Sequence, residues 1–521
     1  MILSKGYLRR KLKTLLISQS VLLILITVFV VFLAFYNLTN YPLTWYDEGS
    51  HLHVPKALVL FGVYADYSSE GFRHYGPSIG IGPTVLLPIA AVFKVFGIGL
   101  LQARLVMALY SIVAVIAYYQ LARIIGGSTT ALVAILLLLS TRGVNFVEVG
   151  RNVLGEVPAL FFLVAGLVVW FSGWDQNRTG RLFVVGLLLG LAMVTKYQFI
   201  IFIIPTFGLG WLSNWLYYKT TSHKNFIIPG FIGVLIIALW QAYQIIYLGP
   251  STAGENFTLF REFTAGAAAV FSPDLIRRSI NELLDFKTFG GVIIPVVVYG
   301  VLISLPRNIQ AQRWGMLITL IIINLIWYVF ASISWLRYAF PALALLSLFV
   351  AKFFSDLTDG FEIDLKSIKD ALRGNISALS PHAVKLGLLL WLGIIIALPM
   401  GLLLKDILLP PYNSPKAVAQ YLNENIPHQK LVETFEPELG FLTDHNYHFP
   451  PQIYLLESVK YIWNGGEPPS QSYHFVETEQ PDYIIVGEFG RWVNMYPQEK
   501  LEGVYRKLVE IDKYEIFEFI K

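Results

Sequence analysis

The sequence predicts a polytopic α-helical membrane protein with a small α/β domain at its C-terminal end. Of the 521 residues, 55% are hydrophobic and only 14% are charged, whereas soluble domains contain about 25% charged residues. Apolar runs approaching the roughly 20 residues that cross a bilayer recur up to about residue 410. Beyond that point the chain is rich in charge and proline. The predicted organisation is a membrane module, 1–410, followed by a domain at 411–521.

Composition excludes several classes of function. The net charge of +4 is small, so no nucleic-acid partner is indicated. Cysteine is absent, which excludes disulfides and thiolate-bound metals. Aromatic residues make up 15% of the chain, and Trp and Tyr often lie near the ends of apolar runs, as at membrane interfaces.

About eleven apolar runs are predicted to span the membrane. The first follows the basic segment "MILSKGYLRRKLK" and lacks an A-x-A-like cleavage site, so it is predicted to be an uncleaved helix with a cytoplasmic N-terminus. The predicted spans are 14–36, 100–123, 128–141, 154–172, 181–196, 198–217, 226–248, 289–305, 314–333, 336–354 and 384–408.

The run 77–97 contains three prolines and is ambiguous. If it lies in the interface or re-enters, the loops "ARIIGG", "DQNRTGR", "YYKTTSHK" and "PRNIQAQR" all become cytoplasmic, as the positive-inside rule requires. If it spans, the last three of these loops fall outside. The first arrangement is therefore preferred. It places loop 37–99 and domain 411–521 outside and the polar connector 355–383 in the cytoplasm.

Two amphipathic helices and three strands are predicted outside the spans. The segment "SPDLIRRSINELLDF" predicts a helix with Ser272 as N-cap and proline at its first position. In the C-terminal domain, "SPKAVAQYLNENIP" predicts a helix. The segments "KLVETF", "DYIIVGEF" and "YEIFEFI" predict strands.

Adjacent carboxylates, Asp47 and Glu48, follow the first span in "WYDEGSH". On a helix, neighbouring side chains diverge by about 100°, so one can face a reaction centre while the other organises the loop. One carboxylate could deprotonate a hydroxyl or orient a cation. The alternative is a "DEGS" turn that caps a helix starting near Ser50.

Histidines and an acid in the same loop raise the question of a metal. The weak candidates for ligands are His51, Glu70 and His74. A zinc site needs three or four ligands that converge on one point, and these residues are separately explained as solvated surface groups. No cofactor is therefore certain, and a divalent metal is left open.

Isolated charges at the ends of apolar runs point to an anionic ligand. Lys196 and Arg337 are lone cations in apolar surroundings on the predicted outer side, where Arg151 and Glu156 precede another span. Ionisable groups there tend to face a cavity or a partner. Beside the acidic loop, two cations suggest recognition of a phosphate-bearing lipid. The alternative is that the long side chains reach the interface harmlessly.

Five segments, in this order along residues 10–410, together resemble the glycosyltransferase C superfamily. They are "WYDEGSH", "FRHYGPSIGIGP", "GRNVLGEVPALFF", "LGLAMVTKYQFIIFIIP" and "LRYAFPALALL". The narrower resemblance is to the branch of protein O-mannosyltransferases and the aminoarabinose transferase of lipid A.

The resemblance implies transfer of a sugar, with inversion, from a polyprenyl-phosphate donor to a glycan, lipid or protein acceptor at the outer face of a plasma (inner) membrane. It implies that Asp47 is the general base. It further implies that Lys196 and Arg337 hold the lipid phosphate. Substrate contacts are implied for Glu48, Arg151, Glu156 and Tyr338, and for Arg73 or His74 in place of a missing lysine.

Two other functions compete with this one. A transporter or flippase of lipid-linked sugars should show inverted repeats and charges near the bilayer midplane, and the sequence shows no clear repeat. A scaffold that displays the C-terminal domain would leave the acidic loop and the two lone cations without a shared purpose.

Overall fold

The computed structural model describes residues 19–74, 80–174, 176, 178–362 and 381–520. The basic N-terminal segment, the start of the predicted span 14–36 and most of the connector 355–383 lie outside the described residues. So does the middle of "FRHYGPSIGIGP".

Each of the predicted spans overlaps one helix. Within the described ranges, six helices are long and apolar enough to cross a membrane by themselves, and six more are apolar but shorter. The helices up to residue 408 are α1 Gln19–Phe35, α2 Tyr46–Phe61, α3 Pro83–Phe96, α4 Leu100–Gly126, α5 Ser128–Ser140, α6 Phe146–Arg151, α7 Glu156–Phe171, α8 Thr179–Thr195, α9 Gln198–Ser213, α10 Lys224–Leu248, α11 Pro250–Ala267, α12 Pro273–Leu284, α13 Ile293–Ile303, α14 Ile309–Ala331, α15 Phe340–Leu357 and α16 Pro381–Leu408.

The basic loops meet at one end of the bundle. Gln310 donates a hydrogen bond to the carbonyl of Ile125 over 2.6 Å, and Tyr218 donates to the carbonyl of Ser304 over 2.5 Å. The opposite end gathers the acidic loop and the N-terminus of α7. The predicted grouping of these loops at opposite ends is thus present in the fold.

Helix α3 covers only part of the predicted run 77–97 and packs antiparallel against the first half of α4. Tyr110 donates to the carbonyl of Thr84 over 2.6 Å, and Gln102 donates to the carbonyl of Phe96 over 3.3 Å. Helix α4 therefore returns along α3, which has 14 residues, fewer than a straight span of the bilayer needs. Helices α5 and α13, which correspond to predicted spans, are shorter still, at 13 and 11 residues, so the re-entrant interpretation stays a prediction.

The C-terminal domain is built on a mixed sheet. The bounds of the strands, which include a hairpin in the first outer loop, and of the domain's helices are β1 Asp66–Ser68, β2 Gly71–Arg73, α17 Ser414–Asn425, β3 Leu431–Thr434, α18 Pro437–Leu442, β4 Asn446–His448, α19 Gln452–Asn464, α20 Phe475–Thr478, β5 Tyr483–Val486, α21 Glu488–Trp492, α22 Gln498–Leu501, β6 Tyr505–Ile511 and β7 Tyr514–Phe519. Strands β3, β4 and β5 are parallel, and β7 and β6 continue the sheet antiparallel, in the order β4-β3-β5-β7-β6. The three predicted strands are present, whereas β4, β6 and the hairpin β1–β2 in the first outer loop were not predicted.

The C-terminal domain is seated on α2, the helix that carries the acidic pair. A ring nitrogen of His53 lies 2.8 Å from the carbonyl oxygen of Pro437, and Lys56 donates to the carbonyl of Thr443 over 2.9 Å. Gly49 permits the close approach, because a Cβ there would lie 2.2 Å from the backbone nitrogen of Glu438. The sheet domain thereby fixes the position of α2.

Candidate functional site

A cavity of about 1040 Å³ lies between the membrane helices and the C-terminal domain. This volume is at the upper end of the range for small-molecule sites, about 300–1,000 Å³. Its walls are mostly apolar and come from α9, α10, α11 and α19, whereas Asp47, His51, Lys196 and Arg337 make one side polar.

Four charged side chains form an alternating chain at the polar side. The Nζ of Lys196 lies 3.2 Å from Oε1 of Glu156, and the same oxygen lies 3.5 Å from Nε of Arg337. The guanidinium of Arg337 continues to Asp47, with Nη1 2.6 Å from Oδ2. Two cations and two anions from four separate segments therefore meet, with Glu156 fully covered behind the others.

Local structure explains how Lys196 and Glu156 meet beside the cavity. Lys196 stands in the two-residue break between α8 and α9, with an extended backbone at φ −146°. Glu156 is the first residue of α7, where a helix N-terminus favours a carboxylate. Gly155 leaves room for the pair, since a Cβ there would lie 3.0 Å from Cδ of Lys196.

Asp47 lies in the first turn of α2, not in a turn before it. The helix begins at Tyr46, four residues earlier than the "DEGS" cap would require, so that alternative is wrong. Because Asp47 and Glu48 are consecutive on a helix, they point to different partners. Asp47 faces the cavity and Glu48 faces the interior.

Arg337 lies between two indole rings. It belongs to a short 3₁₀ turn, Leu336–Ala339, and its guanidinium carbon lies 5.4 Å from the ring centres of both Trp45 and Trp335. Cation–π contacts of this kind are worth about 0.5–2 kcal/mol each. The rings hold the guanidinium beside Asp47.

The carboxylate of Asp47 is kept ionised by its neighbours. Burial alone would raise its pKa, but Arg337, and after it His51 and Lys196, hold the pKa below the ordinary value. Asp47 can therefore accept a proton or bind a cation at neutral pH, while its pairing with Arg337 makes it a weak base in this arrangement.

His51 lies beside Asp47 and is neutral at physiological pH. Burial lowers its pKa to about 4, against the raising effect of Asp47. One ring nitrogen, Nδ1, lies 2.7 Å from the carbonyl oxygen of Val153. His51 lines the cavity as an uncharged hydrogen-bonding group, not as a solvated surface residue.

Glu48 is engaged in a buried ion pair that the sequence analysis missed. The Nη2 of Arg104 lies 2.5 Å from Oε2 of Glu48, Arg104 Nε lies 2.9 Å from Oε1, and both side chains are 0% exposed. The backbone nitrogen of Val153 also donates to Glu48 over 3.2 Å. Arg104 was visible as an ionisable residue inside a predicted span, which is the signal that could have found it.

The other predicted substrate contacts lie away from the cavity. Within the described part of the chain, its lining does not include Glu48, Arg73, His74, Arg151 or Glu156, the last of which lies behind Lys196 and Arg337. Arg151 is 1% exposed, so it does not reach an interface. Its guanidinium donates to the carbonyl of Tyr36 instead.

Arg73 ties the hairpin to the C-terminal domain. It donates to the carbonyls of Phe449 over 2.6 Å and Pro450 over 2.9 Å. The carbonyl of His74 accepts a hydrogen bond from Asn256 over 3.2 Å. Tyr338 does line the cavity, and its contact with a substrate stays a prediction.

The predicted metal ligands do not converge in the structure. His51 lines the cavity, whereas Glu70 lies on the hairpin and approaches the C-terminal domain. Among the described residues, the group able to supply three ligand atoms to one ion is Glu70, His448 and Glu479. This group contains a single member of the predicted set and is separate from the cavity lining.

Sequence comparison finds one family-model match. Residues 81–243 match the model of the dolichyl-phosphate-mannose-protein mannosyltransferases. No curated protein matches the sequence.

Solved structures match nearly the whole chain. ArnT from Cupriavidus metallidurans superposes with a TM-score of 0.64 in its apo state, at 15% identity, covering 96% of this chain and 97% of that one. Its structure bound to undecaprenyl phosphate gives 0.62 at 14% identity, with the same coverage. The archaeal oligosaccharyltransferase AglB from Archaeoglobus fulgidus, in complex with an inhibitory peptide and a dolichol-phosphate, gives 0.56 at 13% identity, covering 95% and 74%. These matches confirm the predicted glycosyltransferase C fold.

Proposed function

We propose that this chain, which has the fold of the polyprenyl-phosphate-dependent glycosyltransferases, transfers a sugar from a polyprenyl-phosphate donor to an acceptor hydroxyl. The observation that carries the proposal is the meeting of Lys196, Glu156, Arg337 and Asp47 at one side of a large apolar cavity. The chain would act at the extracytoplasmic face of the plasma (inner) membrane, with its N-terminus in the cytoplasm.

The two cations suit the phosphate of the donor. Arg337 and Lys196 present their charged groups beside an apolar wall, and their side chains are only 16% and 11% exposed. Charge-assisted hydrogen bonds to a phosphate are stronger in such a site than in water. The apolar wall formed by α9, α10 and α11 suits the first isoprene units of the lipid.

The reaction we propose is an inverting displacement. The acceptor oxygen attacks the anomeric carbon, the bond from that carbon to the phosphate oxygen breaks, and the phosphate leaves with the electron pair. The hydroxyl proton passes to Asp47. Lys196 and Arg337 stabilise the charge that develops on the leaving phosphate, a type of stabilisation that often makes the largest contribution to catalysis.

Donor binding would also activate the base. Arg337 is shared between Asp47, at 2.6 Å, and Glu156, at 3.5 Å. A phosphate that draws the guanidinium away from Asp47 removes the main influence lowering its pKa. Asp47 would therefore become a stronger base when the donor is bound.

The other charged residues have supporting roles in this proposal. Glu156 positions the two cations. The Glu48–Arg104 pair fixes the rotation of α2, so that Asp47 faces the cavity. The domain 411–521 covers the site and would contribute to acceptor selection.

The test is transfer activity in membranes with a panel of radiolabelled polyprenyl-phosphate sugars and a mixture of glycan, lipid and protein acceptors. The proposal predicts labelled product with one class of donor and inverted configuration at the transferred sugar. Folded protein that transfers none of these sugars, but moves the intact lipid-linked donor between leaflets of a vesicle, would overturn it in favour of a flippase.

A further inference from the structure

The contact between the first outer loop and the C-terminal domain contains a buried histidine that faces two carboxylates. His448 ends strand β4, Glu70 lies in the turn between β1 and β2, and Glu479 follows α20. The Nε2 of His448 lies 3.2 Å from Oε1 of Glu70 and 3.6 Å from Oε2 of Glu479. The histidine side chain is 0% exposed.

The opposite nitrogen of the ring is held by a third carboxylate. Glu433 and His448 are paired neighbours on parallel strands β3 and β4, and Oε2 of Glu433 contacts Nδ1 of His448. Tyr473 and Tyr496 donate to the other oxygen of Glu433 over 2.6 Å and 2.9 Å. Glu433 is therefore an acceptor, and Nδ1 carries a proton.

This arrangement directs Nε2 at two negative groups. Among the described residues Nε2 forms no hydrogen bond of standard geometry, although Oε1 of Glu70 lies 3.2 Å away. Two carboxylate oxygens that face one buried ring nitrogen require a positive charge, which is supplied either by a second ring proton or by a bound cation. Glu433 bound to Nδ1 is also the arrangement that typically orients a metal-ligating histidine.

The two separations from Nε2 match the coordination shell of a small divalent metal. Zinc bonds of about 2.0–2.2 Å at tetrahedral angles separate ligand atoms by roughly 3.3–3.6 Å. The measured distances from Nε2, 3.2 Å and 3.6 Å, lie close to this range. All three ligand atoms lie within 4.8 Å of one another.

We propose that Glu70, His448 and Glu479 bind a divalent transition metal such as Zn²⁺, with water completing the coordination. Glu70 and Glu479 are partly exposed, with side-chain exposures of 45% and 26%, so an ion can enter from solvent. One imidazole nitrogen and two carboxylates favour Zn²⁺ or Mn²⁺ over Ca²⁺ and Mg²⁺, which prefer oxygen alone.

The metal would act as a clamp between two parts of the chain. The hairpin already docks on the sheet through the backbone nitrogen of Ser69, which donates to the carbonyl of Tyr447 over 2.7 Å. Arg73 adds its hydrogen bonds to Phe449 and Pro450. The ion would join Glu70 of loop 37–99 to His448 and Glu479 of the C-terminal domain. The same loop contains α2, the helix that carries Asp47. The proposal does not depend on the reaction that the cavity performs.

The experiment uses full-length protein in detergent, stripped with EDTA and then titrated with Zn²⁺. Bound zinc is measured by elemental analysis, and the ligand field by the optical spectrum of the Co²⁺ form. We expect near-stoichiometric Zn²⁺ in the wild type and a higher melting temperature in its presence. We expect at least tenfold weaker binding in Glu70→Gln and Glu479→Gln, and about 10- to 100-fold weaker binding in Glu433→Gln.

Glu477→Gln is the matched control, because Glu477 is exposed on α20 two residues from Glu479. It should bind Zn²⁺ as the wild type does. Glu479→Gln changes a partly exposed side chain, so its folding can be checked by the melting temperature without metal. The proposal is overturned if the folded wild type retains no more Zn²⁺ than the Glu70→Gln/Glu479→Gln double variant. In that case a protonated His448 holds the carboxylates together.

Discussion

The guanidinium of Arg337 lies against the carboxylate of Asp47, with Nη1 2.6 Å from Oδ2. The pair combines a proposed phosphate ligand with a proposed base. Since each partner changes the chemistry of the other, substitution of one has a measurable consequence at the other.

Arg337→Gln should move the acidic limb of the pH–rate profile upward. Burial raises the pKa of Asp47 and Arg337 lowers it, so removal of the arginine raises it. The base is then protonated, and activity lost, at a higher pH. The measurement is kcat/KM against pH, which reports the free enzyme.

The control is Arg506→Gln, at an exposed position of the sheet, which should keep the acidic limb of the wild type. If the acidic limb of Arg337→Gln lies at the same pH as that of the wild type, Asp47 is not the titrating base.

Lys196→Gln should weaken the use of the donor. A hydrogen bond to a charged group is worth about 1.5–3 kcal/mol, so we expect kcat/KM for the donor to fall by about 10- to 150-fold. Lys196→Arg should recover part of the loss, because it retains the charge. Lys430→Gln, a lysine 46% exposed in the C-terminal domain, serves as control. A Lys196→Gln variant with unchanged donor kinetics would remove this residue from the phosphate site.

Breaking the Glu48–Arg104 pair should destabilise the fold. Removal of one partner leaves the other buried and uncompensated, which costs about 3–5 kcal/mol. Arg104→Met should therefore lower the melting temperature strongly. The double variant Glu48→Met/Arg104→Met should recover much of the loss, since no lone charge remains. If Arg104→Met melts like the wild type, the pair does not hold α2 in place.

His51 should make stability depend on pH. Burial lowers its pKa from 6.5 to about 4, so between these values the unfolded chain binds more protons than the folded one. Stability is therefore complete above about pH 6.5 and decreases as the pH falls towards 4. The melting temperature of His51→Gln should decline less steeply in this window than that of the wild type. If the melting temperatures of the two proteins fall in parallel between pH 6.5 and 4, the pKa of His51 is not lowered by folding.

The spans and several candidate site residues were predictable because they depend on local composition. Long apolar runs must form helices in a membrane, and a lone cation such as Lys196 or Arg337 is conspicuous within them. The start of α2 was not predictable in the same way. Its N-cap is Trp45, which makes no side-chain capping bond, so the sequence left open a helix that starts near Ser50.

Contacts between residues distant in the sequence could not be predicted, for a different reason. Glu48 pairs with Arg104, and Glu70 approaches His448, only because separate segments pack together. Hydrophobic periodicity cannot give that packing. The strand β4 was missed because it has only three residues, and it is the pairing with β3 that places His448 beside Glu433.

The measurement that tests the central claim most directly compares donor binding and sugar transfer in two variants, Asp47→Asn and Arg337→Gln. Asp47→Asn should bind polyprenyl phosphate at least as tightly as the wild type, while transfer falls by about 10²- to 10⁴-fold. Arg337→Gln should lose both donor binding and sugar transfer. The control Asp444→Asn, at an 84% exposed carboxylate, should keep both. Transfer by Asp47→Asn at the wild-type rate, from folded protein with normal binding, would contradict the account.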